Sequence, residues 1–252
     1  MTQREYILEL LDTIVDKEPG LFRRTSGSYT FQDRRIPRVT DIVKTCMDNS
    51  GLIKWANRLG LYDHMNYGKY MDAVSSIGTE AHKCIESFIS NSYKDVSEDQ
   101  PLNIMQEARN AYLSYQSWFS NLIANREVSI LLHEHPLICK YYGGTCDGVY
   151  RIDNKNYVVD YKTSNHVRFD HFLQLVGYAY ILDTIEHIPL DGAMIIHLSK
   201  SNVSYEEFMI NLDNAVEREY FEFCKDSFLS MVYWYYCLTI AEKQYKKLLK
   251  WK

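Results

Sequence analysis

The residues best able to do chemistry lie between Gly144 and Thr163. Two strand-like runs flank Asp153-Asn154, and Asp and Asn tolerate the positive φ that a two-residue hairpin turn demands. That register sets Ile152 opposite Lys155 and, stepping outward, Asp147 opposite Asp160. Opposed residues on an antiparallel pair have Cβ atoms about 4.5–5.5 Å apart. Two carboxylates at that spacing repel unless a cation or a proton lies between them. Lys162, two residues beyond Asp160, projects from the same face, with Val149 and Val158 beside the group. The carboxylates could hold a hard divalent cation, and the ammonium could orient a water or offset charge on a phosphate. Taken alone, the three residues fit a surface hairpin with a salt-bridged face equally well.

Three further positions are suggestive only in company. Gln174 and Tyr178 are spaced i, i+4 and share one helical face; an isolated pair of this kind is usually an ordinary polar contact. His82 follows Gly78-Thr79-Glu80-Ala81 in a helical pattern with Ile85, Phe88 and Ile89 as apolar neighbours. A lone histidine there more often packs or caps than ligates. Glu134 follows the apolar run Ile130-Leu131-Leu132 and precedes Pro136, where a solvated strand end is the ordinary outcome.

The elements that must position these residues can be read from periodicity. Helical spacing runs over Glu5–Val15, ended by Pro19-Gly20, then over Leu52–Leu61 and Tyr67–Ser92. Pro101 is placed to open a helix reaching Asn125. From Leu21 to Val39 the pattern is irregular, with a turn at Gly27-Ser28, and Thr40 is the expected N-cap of a helix beginning at Asp41. Strands are expected over Glu127–Cys139, Gly143–Ile152 and Asn156–Thr163. A helix over Arg168–Ile185, a strand over Ala193–Leu198 and a long helical tail complete the chain. The reading is one α+β domain over 1–252, with a mainly helical part (1–126), a core carrying the chemistry (127–200) and a C-terminal helical part (201–252).

Composition narrows the function classes. The chain has 252 residues, 46% apolar and 24% charged, with a net charge of −5, which excludes intrinsic disorder and a wholly basic nucleic-acid coat. Any nucleic-acid contact must come from a local patch. Aromatics are abundant, with 21 Tyr, 10 Phe and 4 Trp, which suits either a polar groove or a core; a coding bias toward Tyr, Asn, Lys and Ile would produce the same excess. Six scattered cysteines without a CxxC pair argue against a zinc knuckle or disulfide framework and for a reducing compartment. No stretch approaches the roughly 20 apolar residues of a membrane span. The start, Met1-Thr2-Gln3-Arg4-Glu5, lacks the pattern of a signal or transit peptide, so the expected location is the cytoplasm of a bacterial or phage-infected cell.

In order, His82, Glu134, Gly144-x-x-Asp147, Asp160-x-Lys162 and Gln174-x-x-x-Tyr178 resemble the RecB-like branch of the PD-(D/E)xK nuclease superfamily. Pro37-Arg38-Val39-Thr40-Asp41-Ile42-Val43, then Gly78-x-x-x-His82-Lys83-x-Ile85-Glu86, are most similar to the mitochondrial genome maintenance exonuclease and its bacteriophage relatives. The resemblance implies a restriction-endonuclease-like core, a mixed central sheet in αβββαβ order, with a helical N-terminal half and a long C-terminal helix. It implies metal ligation by Asp147, Asp160, His82 and the Tyr161 carbonyl, catalysis by Lys162, an acidic role for Glu134, and substrate positioning by Gln174 and Tyr178. Cys146 stands where the family label has proline. The tight cysteine cluster of iron–sulfur members is missing, so no iron–sulfur cluster is expected.

The implied activity is a Mg²⁺- or Mn²⁺-dependent DNA exonuclease, with one or two ions and no membrane attachment, and a single-strand-binding or recombination protein as a candidate partner. Arg34, Arg35 and Arg38, within an arginine-rich stretch beginning at Arg23, are candidate phosphate contacts. So are Lys243, Lys246, Lys247, Lys250 and Lys252, though either cluster could simply be solubilising. Phe22, Tyr29 and Phe31 could stack on unpaired bases, which favours single-stranded ends or flaps. The alternatives are a double-strand 5′ exonuclease of the phage recombination type, a catalytically idle DNA-binding module of the same fold, and a metal-independent structural protein.

Overall fold

The computed structural model describes residues 2–14, 22–25, 28–31, 34–47, 50–62, 64, 66–92 and 102–249. In chain order these form α1 (Gln3–Ile14), β1 (Phe22–Thr25), β2 (Ser28–Phe31), β3 (Arg34–Ile36), α2 (Val39–Cys46), α3 (Ser50–Tyr62), α4 (Tyr67–Ile89) and α5 (Leu102–Asn125). Then follow β4 (Val128–Ile138), β5 (Gly143–Ile152), β6 (Lys155–Lys162), α6 (Phe169–Thr184), β7 (Gly192–Leu198), β8 (Tyr205–Asn211) and α7 (Ala215–Leu249). The architecture is α+β, compatible with a restriction-endonuclease-like core. Among the described residues no helix is long and apolar enough to cross a membrane.

One five-stranded sheet, ordered β4-β5-β6-β7-β8, organises the molecule. All neighbours are antiparallel except β6 and β7, which run parallel. A parallel step needs a crossover, and α6 supplies it between these strands. The sheet is covered on both faces, so β6 is buried along nearly its whole length. That is why Tyr157-Val158-Val159 reads as a continuous apolar run rather than an alternation. Val149, Val158 and Ile195 face α2, α6 and α7. Tyr150, Val159, Tyr161 and Ile196 face α4 and α5.

The aromatic excess has a structural destination. Tyr115 and Trp118 of α5 are fully buried against Tyr150 and Tyr161, with Tyr115–Tyr161 and Trp118–Tyr150 ring centroids 5.2 and 5.6 Å apart. The hydroxyls of Tyr115, Tyr150 and Tyr161 form a chain with spacings of 3.0 and 2.6 Å. Each buried O–H thereby finds a partner, which removes the cost of desolvating it. These rings build a core, not a groove.

Three expectations need correction. The stretch expected to be irregular forms a small antiparallel sheet, β1-β2-β3, whose strands of 4, 4 and 3 residues are too short to show a period. Within it Gly27, like Pro19, Gly20 and Pro101 elsewhere, lies outside the described residues. Second, α2 begins at Val39 with Arg38 as its N-cap, so Thr40 sits inside the first turn. The Asp41 carboxylate reaches back to the Arg38 N–H (3.3 Å) and also takes its guanidinium (2.9 and 3.1 Å), outcompeting the threonine. Third, β8 was not expected. It is an edge strand largely exposed, with Glu206 and Glu207 consecutive, so the half-buried alternation that signals a strand never appears; charge on an edge also discourages pairing with a further strand.

α6 starts by the same device as α2. His171 Nδ1 accepts the Arg168 N–H at 3.2 Å, which requires an unprotonated nitrogen. Burial, then the Lys162 charge, pushes His171 down from 6.5 to about 4. A depressed histidine stabilises the fold fully above its unfolded value, and that contribution is lost as pH falls from 6.5 toward 4. Gln at this position can accept the same bond without titrating. Thermal melts from pH 7 to 4 should therefore show a shallower fall in Tm for His171→Gln than for wild type.

Candidate active site

The turn forms as its residue types require, with Asp153 and Asn154 at φ 48° and 66°. β5 and β6 pair in the projected register from Ile152↔Lys155 out to Gly148↔Val159. The paired rungs end there, one step short of the projected Asp147–Asp160 opposition. At that step a side chain takes over, because Asp147 Oδ2 accepts the Tyr161 N–H at 2.6 Å.

Across β5, the rungs His133↔Gly148 and His135↔Cys146 bracket Glu134. Glu134 has φ 43°, a left-handed conformation that costs a non-glycine residue about 1–3 kcal/mol and persists only where the surroundings impose it. Its carboxylate Oε1 lies 3.4 Å from His82 Nδ1, while Asp147 Oδ1 lies 3.5 Å from the same nitrogen. Ligand atoms of His82, Glu134 and Asp147 all fall within 4.8 Å of one another. His82 Nε2 is 3.3 Å from the Tyr161 carbonyl. The imidazole is delivered by α4, whose Ala81, Cys84 and Ile85 are buried against the sheet. Burial opposes its charge, but Asp147 and then Glu134 outweigh that and lift His82 from 6.5 to about 9.

Asp160 is 2% exposed, and its Oδ2 meets Lys162 Nζ at 2.6 Å. That contact is an ion pair off the hydrogen-bonding direction, so the buried oxygen has no aligned hydrogen bond. Burial pushes the Asp160 carboxyl up, Lys162 pulls it down, and Asp147 pushes it up again. Burial likewise raises Asp147, against His82 and Lys162 and with Glu134. Lys162 is disfavoured as a cation by burial, yet Asp160 and Asp147 raise it above its ordinary value. It therefore carries its charge.

This donor set fits a divalent ion. Carboxylate oxygens, a peptide carbonyl and one imidazole suit Mg²⁺ or Mn²⁺, with the nitrogen favouring Mn²⁺. His82, Glu134 and Lys162 reach a cleft of about 510 Å³, also lined by Gly78, Lys83 and Thr163. Lys83 and Thr163 were given no role in the sequence reading, although each directly follows a residue that was singled out.

Two glycines of the sequence pattern are points of close approach. A Cβ on Gly144 would lie 2.5 Å from Tyr178 Cε1 and 3.3 Å from Val39. One on Gly78 would lie 3.3 Å from Thr163 Oγ1. Tyr178 is thus buried over the start of β5, close enough to Asp160 and Asp147 that, after burial itself, their charges help raise its hydroxyl well above its ordinary value. Gln174 is half-buried on α6 and makes no hydrogen bond among the described residues.

The cationic candidates are dispersed. Arg38 is held by Asp41, and Arg35 is exposed on β3 opposite Thr30. Side chains of Arg23, Arg34, Phe22 and Phe31, and residues Lys250 and Lys252, lie outside the described part. Lys243, Lys246 and Lys247 sit on the exposed end of α7, away from the cleft lining, with Lys246 paired to Glu242 at 2.5 Å.

Two outcomes follow from this geometry. Gly144→Ala overpacks the Tyr178 contact and should destabilise by about 1–3 kcal/mol, read as a lower Tm. Mn²⁺ at a hundredfold excess over its Kd should raise the Tm by roughly 5–10 °C, and Asp147→Asn should abolish most of that shift.

No protein-family model matches the chain, and no curated protein is similar to it. Among solved structures, the crystal structure of SSO0001 is similar at 17% identity and a TM-score of 0.27, covering 60% of this chain and 73% of that one. An alkaline exonuclease (LHK-Exo) from Laribacter hongkongensis is similar at 15% identity and a TM-score of 0.30, covering 54% of this chain and 72% of that one. Similarities this remote leave the chemistry to be argued from the site itself.

Proposed function

We propose that this chain is a divalent-metal-dependent nuclease of the RecB-like PD-(D/E)xK type, hydrolysing DNA exonucleolytically from single-stranded ends or flaps. The observation that carries the reading is the convergence of His82, Glu134 and Asp147 within 4.8 Å, together with the Lys162–Asp160 ion pair, at a cleft lined by His82, Glu134 and Lys162. Bound Mg²⁺ or Mn²⁺ would supply charge neutralisation at phosphorus and an activated water.

The chain's own residues have separable tasks. Asp147, Glu134, His82 and the Tyr161 carbonyl would hold the ion, with Asp160 as a further carboxylate beside Lys162. Lys162, retained as an ammonium by two carboxylates, acts as a fixed positive charge toward the phosphate rather than as a base. Tyr178 fixes the start of β5 through Gly144, while Gln174 is free to meet substrate.

The arginine-bearing sheet supports DNA as the substrate. Its Tyr29 hydroxyl bonds Thr145 Oγ1 at 2.6 Å, and Gly143 N–H donates to Pro37 O at 3.0 Å. Arg35 is thereby carried on a sheet anchored to the strand that bears Asp147. Arg38 contributes less, since a phosphate would have to displace Asp41.

The test is digestion of end-labelled single-stranded, duplex and flap DNA with Mn²⁺ or EDTA, for wild type and Lys162→Ala. Wild type should shorten single strands and flaps from an end in Mn²⁺ and be inert in EDTA. Lys162→Ala should lose cleavage by at least a hundredfold, consistent with removing one charge-stabilising donor, while keeping the Mn²⁺-induced rise in Tm. Equal activity in variant and wild type would end the assignment, and preferential digestion of duplex would replace the single-strand specificity with the double-strand alternative.

A further inference from the structure

The cleft does not stop at the catalytic cluster. A second cavity of about 370 Å³ shares Val74 and Ser164 with it and is lined by Tyr70, Arg168 and Lys200. A third, of about 320 Å³, shares Tyr70, Val74 and Lys200 with the second and adds Lys69. The three adjoin at Val74, which lines them all: the first runs along α4 past His82, and the second and third overlap at Tyr70 and Lys200, the third reaching Lys69 and Glu107. The segment following β6 and the end of β7 bound them opposite α4. His197 of β7 fixes that segment, its Nε2 standing 2.6 Å from the Ser164 carbonyl.

The character of this groove differs from the chain as a whole. The net charge is −5, yet the second cavity is lined by His166, Arg168 and Lys200 and by no carboxylate. Asp170 holds Arg168 through Nε and Nη2 (2.9 and 2.6 Å), leaving Nη1 without a partner among the described residues. Lys200 reaches its nearest acid, Glu107, only at 3.9 Å, and the exposed Lys69 ammonium has no ion-pair partner among the described residues. One aromatic face, Tyr70, is common to the second and third cavities. Alternating cations with an aromatic platform is how a protein holds an unpaired strand without reading its sequence.

We propose that this groove is the track for a single-stranded polynucleotide on one side of the scissile phosphate, with Tyr70 stacking a base and Arg168, Lys200 and Lys69 contacting successive phosphates. The assignment rests on the nuclease reading and extends it to residues that no motif singled out. The 14 residues of α4 from Lys69 to His82 rise about 20 Å, room for roughly six stacked nucleotides at ~3.4 Å each.

Fluorescence anisotropy with labelled oligothymidylates of two to twelve nucleotides, in EDTA so that nothing is cleaved, tests the track separately from the chemistry. Wild-type affinity should grow with length up to roughly six nucleotides and then level off. Tyr70→Ala should weaken binding of the twelve-nucleotide strand by about 5- to 100-fold. Lys69→Gln, at an exposed position that cannot unfold the protein, should lower the slope of log Kd against log salt by about 0.7, the contribution of one phosphate contact. Wild-type binding with no dependence on length, or both variants binding as wild type does, would overturn the track even if the enzyme cleaves. Conversely, absence of Mn²⁺-dependent cleavage with these binding effects intact would remove the nuclease reading and leave a single-strand-binding groove.

Discussion

The structure depends on keeping five ionisable side chains together where water is scarce. Burying a charge is expensive unless it is paired and hydrogen-bonded, and here Glu134, Asp147 and Asp160 face His82 and Lys162. With His82 protonated, as its raised value implies, and all three carboxylates ionised, these groups would sum to one negative charge. Replacing that proton by a divalent ion brings the sum to zero. The proton on His82 and the ion would therefore play one electrostatic role in turn, and the second fills it better. Such a role would account for three repelling carboxylates brought together from three adjacent strands for no structural gain.

Everything around the cluster restricts how it can relax. The Asp147 carboxylate is tied to the main chain of β6 through the Tyr161 N–H. Tyr161 in turn is locked by its hydroxyl to Tyr150 and by ring contact to Tyr115. The opposite face is set by Tyr178 lying on Gly144. A metal site works when ligands are oriented by a shell that cannot adjust, and the aromatic core provides that shell. The buried core tyrosines would thus serve the proposed function through rigidity rather than through contact with substrate.

The parts of this arrangement that were legible in the sequence are those governed by local chemistry. Asp153-Asn154 announces its turn, and a two-residue turn fixes every rung behind it, so the placement of Asp147 and Asp160 near the far end of the hairpin could be projected. The helix carrying His82 and the helix carrying Tyr178 were legible as elements from their periodicity. What brings them to the hairpin is tertiary, and only the order of motifs hinted at it. Glu134 could not be read at all in this sense: its aim depends on a left-handed backbone that nothing in Leu132-His133-Glu134-His135 requires. β1 to β3 were too short to show a period, and β8 lies too exposed on the sheet edge. The groove along α4 was invisible because Tyr70 lies far in sequence from Arg168 and Lys200, and the three belong to no pattern.

On the proposed nuclease reading, this acidic chain must limit how tightly it grips a polyanion. Most of the cations near the cleft already have carboxylate partners: Arg38 with Asp41, Arg168 with Asp170, Lys83 with Glu80 at 2.7 Å, and Lys200 more loosely with Glu107. A phosphate arriving at such a cation competes with a fixed carboxylate, so each contact yields less than a free ammonium would, and fewer counterions are released. Attraction would then be concentrated where a bound divalent ion meets a phosphate oxygen directly, with stacking supplying grip that does not depend on charge or sequence. Strong hold at one phosphate and weak hold along the rest is what a strand needs if it is to advance by one nucleotide after each cut. The pairing of the surface cations thus favours a strand that moves over one that stays.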